Sequence, residues 1–282
     1  MRALILLLAS LPLHYVDVHL RTSWQVNLGP VGNAPVSVSV CQDGSVLSAE
    51  RDMPLVRVDA GGLVRSTDSV IRGGPVICTT DGFVELQGPK VVIRQWTGRV
   101  REYSLPVTAR SGVQLPTGDL LLLTERGPML LADNGRVGVP AAWGGFVPEQ
   151  ADAILAVNRD TVAVIYPRRT EVEFREAATL RLASQYRRPG TLQFKPLANS
   201  RRDVTFGAAF LPDGRLAVEM RPANRTLLMM VSTDRKTHSD LDITSKGYGL
   251  LHGSGSDGCL VFSAFHPERG KALRKVCVTD SE

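Results

Sequence analysis

Val36–Val64 reads VSVSVCQDGSVLSAERDMPLVRVDAGGLV. Apolar and polar residues alternate over Val36–Cys41, Asp43-Gly44 interrupts them, and Val46–Glu50 resumes the pattern. A polar loop at Arg51–Pro54 leads into Leu55–Val58, a second turn at Asp59–Gly62 and a fourth run at Leu63–Ser66. A period of two is the signature of a half-buried strand. Asp-Gly between such runs is a hairpin signal, because both residues accept the positive φ of a tight turn. The stretch therefore predicts four antiparallel strands, a to d, joined by three short connections.

The unit recurs. Asp81-Gly82 lies 38 residues after Asp43-Gly44, and the third unit turns at Thr117–Asp119 and Asp133–Gly135. The fourth is less regular: Ala153–Val157 and Thr161–Tyr166 flank Asn158–Asp160. Its outer strands fall at Glu171–Arg175 and Thr179–Gln185, with a short helix over Glu171–Ala183 as the competing reading. Tyr186–Asp203 reads as an inserted surface loop. Asp213-Gly214 and Asp257-Gly258 mark the fifth and sixth units, and the sixth stops at Thr279–Glu282, one strand short. One spare strand, Ser23–Leu28, stands at the other end of the chain. A ring reconciles the two: an all-β, six-bladed β-propeller whose N-terminal strand completes the last blade. In these turns (Asp43-Gly44, Asp81-Gly82, Asp133–Gly135, Asp213-Gly214, Asp257-Gly258) the sequence resembles the six-bladed propellers of the NHL and TolB-like kind, over about residues 23–282. The Trp-Asp dipeptide of WD40 repeats is absent. The resemblance implies an architecture that many unrelated functions share.

The 282 residues carry 43% hydrophobic and 22% charged side chains, enough to bury a sizeable core, with a formal net charge of +5 that mildly favours anionic partners. Residues 1–13, MRALILLLASLPL, follow a basic residue with an apolar run too short to span a bilayer. That is the pattern of a secretory signal peptide. The expected organisation is a leader at 1–22 and one propeller domain at 23–282, secreted or periplasmic, with no transmembrane segment. Four cysteines with no zinc-type spacing suit an oxidising compartment. Cys259 and Cys277 flank Glu268 at nine residues on either side, which sets them opposite one another across a hairpin as a candidate disulfide; the other reading is two small buried side chains. Cys41 and Cys78 end successive inner strands and could meet near the axis.

The chemistry concentrates in the loops. The b–c loops hold Arg51, Lys90, Arg126, Arg168, Arg169, Arg221, Arg225 and Arg269, and the d–a segments add Arg72, Arg110, Arg187, Arg188, Arg201, Arg202 and Lys246. Both sets emerge on one face of a propeller, while the a–b and c–d turns, rich in Asp, gather on the other. The expectation is a non-enzymatic binding or protein-interaction module, monomeric or part of a complex, whose basic face engages an anionic small molecule, an envelope ligand or an acidic protein surface. Charged loops and Asp used for turn geometry alone are the competing account. His252 and Asn158 are the channel candidates. The alternative function is a lactonase-like hydrolase with a divalent metal at the channel mouth. Six-bladed lactonases imply channel Glu, Asn and Asp; Asn158 and Asp203 are the nearest candidates, but Val36–Val40 offers no Glu. No cofactor is expected otherwise. Phosphate loops, triads and basic–aromatic interleaving are absent, and with aromatics at 6% no nucleic-acid partner is expected.

Overall fold

The structure is a computed structural model that describes residues 18–29, 37–144, 153–166, 171–189, 207–222, 225–266 and 270–280. These residues form a six-bladed β-propeller of six four-stranded antiparallel sheets. The first blade is β2 (Ser37–Val40), β3 (Val46–Ala49), β4 (Met53–Val58) and β5 (Val64–Ile71). The second is β6 (Val76–Thr79), β7 (Gly82–Gln87), β8 (Lys90–Gln95) and β9 (Val100–Ser104). The third is β10 (Ala109–Gln114), β11 (Leu120–Thr124), β12 (Gly127–Leu131) and β13 (Val137–Gly138). The fourth is β14 (Ile154–Val157), β15 (Thr161–Tyr166), β16 (Glu171–Glu176) and β17 (Leu182–Arg187). The fifth is β18 (Ala208–Phe210), β19 (Leu216–Met220), β20 (Leu227–Val231) and β21 (His238–Asp242). Among the described residues no helix is long and apolar enough to cross a membrane.

The sixth blade closes the ring. It contains β22 (Leu251–Ser254), β23 (Cys259–His266) and β24 (Gly270–Asp280), and its outer strand is β1 (Val18–Gly29) from the other end of the chain. β1 pairs antiparallel with β24 from Val18 against Asp280 to Gly29 against Lys271. It begins five residues before the expected Ser23. The helix considered over Glu171–Ala183 is instead β16, a turn and β17.

The turns explain why Asp recurs. Asp43, Asp213 and Asp257 each accept, through Oδ1, the backbone N–H two residues on, at 2.9, 2.9 and 3.2 Å. This side-chain bond mimics a backbone turn. The glycine between takes φ of +78°, +87° and +76° at Gly44, Gly214 and Gly258. Gly82 differs. Its φ is not positive, and its reason is proximity: a Cβ there would lie 1.9 Å from the Arg94 carbonyl oxygen.

Each blade is buried by its neighbours. The buried apolar side chains fall into six clusters, one at each blade junction. Strands b and c are covered on both faces, so β11 reads LLLLT and every residue in it is buried. The c–d turns then lean on the preceding blade. Trp24 of β1 donates to the Ala60 carbonyl at 3.0 Å, and Lys275 of β24 reaches the same oxygen at 3.1 Å while pairing with Asp257 at 2.5 Å. Arg57 of β4 stacks on Trp96, 4.9 Å from the ring centroid. Arg101 of β9 meets Asp133 at 3.4 Å. Arg235 covers Phe174 at 4.6 Å and donates to Ser184 at 3.1 Å. The tryptophans are thus packing anchors; Trp143 is buried under the Arg175 guanidinium, 4.2 Å from its ring.

Two disulfides reinforce the blades on either side of the closure. Cys259 and Cys277 sit opposite each other in the β23–β24 register and are joined, with Cα atoms 4.0 Å apart. Cys41, just past β2, is joined to Cys78 of β6, so the first two blades are cross-linked beside the axis. That bridge closes a sequence separation of 37 residues. In the chain-entropy account such a link contributes about 3–4 kcal/mol. Replacing both Cys41 and Cys78 with Ser should lower unfolding stability by about that amount. Denaturant titration of variant and wild type under oxidising conditions measures it, and the difference should vanish when both are reduced.

Candidate functional site

The six inner strands stand parallel around the axis, each beside the next, with β2 beside both β6 and β22. An inner strand has an unpaired edge, and the sequence satisfies part of it with short polar side chains. Ser37 Oγ accepts the Val76 N–H at 2.9 Å and Ser39 Oγ the Cys78 N–H at 2.8 Å. Gln114 Oε1 accepts the Thr80 N–H at 2.9 Å, and the Ser254 hydroxyl donates to the Phe210 carbonyl. The alternating SVSV of β2 is therefore a stitch between blades, with serine toward β6.

The strands enclose a channel of about 930 Å³. Its described wall is aliphatic and hydroxylic. It contains no carboxylate; Arg159 is its one permanently charged side chain. His252, the second residue of β22, lies near the b–c and d–a end, and Asn158, just past β14, lies at the opposite end. The two candidates are therefore not one constellation. Asn158 Oδ1 accepts the N–H groups of Asp160 and Thr161 at 3.0 and 2.8 Å, so it is fixed as a turn residue. His252 is half-buried, and its Nε2 is buried without a hydrogen-bond partner among the described residues. Burial pushes the His252 pKa down to about 4, so the imidazole is neutral at pH 7.

The donor set of the described wall does not fit a divalent ion of the lactonase kind. Hard cations want carboxylate or carbonyl oxygens. The described wall offers hydroxyls, amides, one imidazole and disulfide sulfur, and no group of three His, Cys, Asp or Glu capable of holding a metal occurs among the described residues. Asp203 lies outside them.

Two buried carboxylates escape a sequence reading. Glu85 and Glu219 occupy b strands and are fully buried. Glu85 accepts the Arg72 N–H at 2.8 Å, and Glu219 accepts the Leu251 N–H at 2.6 Å and the Arg221 Nε–H at 2.7 Å. Burial raises the Glu219 pKa against those bonds. Both anchor the chain where it approaches or enters an inner strand. Their only signal in the sequence is a carboxylate inside an apolar run.

On the b–c face, Lys90 pairs with Glu102 at 2.5 Å, Arg221 with Glu219 at 2.7 Å and Arg225 with Asp242 at 2.7 Å. Arg110 and Arg188 pair with Glu125 and Asp240. Arg51, Arg72 and Arg126 are exposed, and their side chains make no ion pair among the described residues. Arg168, Arg169, Arg269, Arg201 and Arg202 lie outside the described residues. On the other face the residue before each a–b turn Asp lines the channel lip: Gln42, Thr80, Gly118, Arg159, Pro212 and Ser256. The aspartates sit one position back, and three of them pair with Arg57, Arg215 and Lys275.

No family model matches the chain, and no curated protein matches it. Solved structures do match. Virginiamycin B lyase from Staphylococcus aureus aligns with TM-score 0.57 at 12% identity, over 93% of this chain and 100% of that one. Bacteroides fragilis BF0058 aligns with TM-score 0.61 at 9% identity, over 93% and 96%. The WD40 repeats of RRP9 align with TM-score 0.54 at 9% identity, over 92% and 100%. At these identities the likeness is one of fold alone.

His252 makes acid stability a test of the channel. Its native pKa of about 4 lies below the ordinary 6.5. Between those values the unfolded chain binds more protons, so stability falls as pH drops from 6.5 and levels off below about 4, a loss on the order of 3 kcal/mol. His238, lowered mainly by burial, acts in the same direction, and Glu219, raised, acts against it. His252→Asn should therefore narrow the gap between urea midpoints at pH 7.5 and pH 4. An unchanged gap would refute the burial of this imidazole.

Proposed function

We propose that the chain is a non-enzymatic binding module of an oxidising compartment, which engages an anionic ligand or an acidic protein surface through its b–c and d–a loop face. The reading rests on Arg51, Arg72 and Arg126. They project from the connections of the first three blades, exposed and without a carboxylate partner among the described residues. Unpaired cations on one face raise the local concentration of anions and steer their approach. Lys90 and Arg110 lie in the same arc in half-exposed pairs with Glu102 and Glu125. Exposed pairs of this kind are worth little, so an incoming anion can displace the partner. The two disulfides support the oxidising compartment.

The metal-dependent hydrolase has no comparable support, because the described channel wall lacks carboxylate ligands. The triple variant Arg51→Ser, Arg72→Ser, Arg126→Ser separates a functional face from loops that are merely charged. It should elute from a heparin column at clearly lower salt than wild type, while its melting temperature stays within about 2 °C, as expected for exposed substitutions. A control with three exposed arginines of the other face, Arg99, Arg136 and Arg159, changed to Ser removes the same charge. Equal loss of retention in both variants would show that net charge, and not the face, governs binding.

A further inference from the structure

The loop-face reading leaves the channel unused. Its volume of about 930 Å³ lies at the upper end of the ~300–1,000 Å³ of small-molecule sites. Val38, Val40, Val113, Leu155 and Val157 are each only partly buried, and all five face this space as well as the blade junctions. Partly exposed aliphatic side chains grouped along a concavity gain from being covered, at ~25 cal/mol for each Å² removed from water. Four of the seven hydroxyls on the described wall are already engaged: Ser37, Ser39 and Ser254 hold neighbouring strands, and Thr80 meets Gln114.

Among the described wall residues, His252 alone carries a buried side-chain nitrogen, Nε2, without a partner. Its Nδ1 makes no hydrogen bond among the described residues, and the ring belongs to the channel wall. An orphaned buried N–H is rarer than an orphaned acceptor. That places the proton on Nδ1, where it can be given to a ligand, and leaves a bare lone pair on the buried side. An imidazole that stays neutral does not select for an anion, and the described wall, which has no carboxylate, does not select for a cation; its one permanent charge, Arg159, is exposed at the opposite lip.

We propose that the central channel is a binding site for an uncharged, largely apolar small molecule that carries a carbonyl or ether oxygen, with the His252 Nδ1–H as the donor to that oxygen and the valine and leucine side chains as its apolar walls. The site is independent of the loop face: it uses different residues and a different ligand charge.

Prodan, a neutral naphthalene ketone whose emission shifts to the blue in apolar surroundings, is a direct probe. Wild-type protein should bind it saturably, at one site per chain, with a blue-shifted emission. His252→Phe keeps the ring and removes the donor; it should weaken binding roughly fivefold, the value of one hydrogen bond. Ser111→Trp fills the channel from β10 and should abolish binding while the circular dichroism is unchanged. Thr79→Trp, from β6, serves the same purpose if that variant does not fold. Saturable binding that survives in a folded, plugged variant would place the ligand elsewhere and overturn the proposal. Unaltered affinity in His252→Phe would overturn the donor role. Anilinonaphthalene sulfonate provides the charged comparison: if it displaces Prodan and binds more tightly, the site selects anions and the uncharged class is wrong. Absence of saturable Prodan binding to wild type sinks the site altogether. The arginine-to-serine triple variant should bind Prodan normally, so failure of the loop-face reading and failure of this one give different results.

Discussion

A four-stranded blade has two faces to bury and no second layer of its own. Only a neighbour on each side can cover it, and only a closed ring gives every blade two neighbours. The rest of the structure follows from that requirement. It is why the cores are six clusters between blades and why strands such as Leu120–Thr124 are apolar at successive positions. It is also why the c–d turns reach across to the preceding blade. Trp24 and Lys275 converging on the Ala60 carbonyl do at the closure what Arg57 and Trp96 do one junction on.

The architecture was readable because its turns are local. An Asp Oδ1 that accepts an N–H two residues away needs no partner from elsewhere, so Asp43, Asp213 and Asp257 announce their hairpins wherever the chain goes. The spare strand at one end and the missing one at the other carried the ring. The details that failed to show are non-local. The start of β1 at Val18 depends on the length of β24, far away in sequence. The fourth blade's outer strands looked partly helical because Phe174 and Ala177 pack against the blades on either side, and that packing is invisible in a local periodicity.

The site was less readable still. Loop arginines can be counted in a sequence, but their carboxylate partners cannot. Glu219 meets Arg221 two residues on, whereas Lys90 finds Glu102 across a strand pair and Arg225 finds Asp242 across another. Among the described residues, pairing divides the basic face into cations engaged at home and a second group, Arg51, Arg72, Arg126, Arg187 and Lys246, available to a partner. The channel shows the same limit. Asn158 and His252 both belong to its wall, but one is consumed by its own turn and the other keeps a buried nitrogen without a partner.

The placement of β1 on the sixth blade has a temporal side. As the chain is made, β1 appears before the strands of the other blades and has nothing to pair with until β24 follows. Until then the ring is open and β1 is an unpaired edge. Completion is tied to β24, which delays closure of the ring until β1 and β24 are together in one compartment.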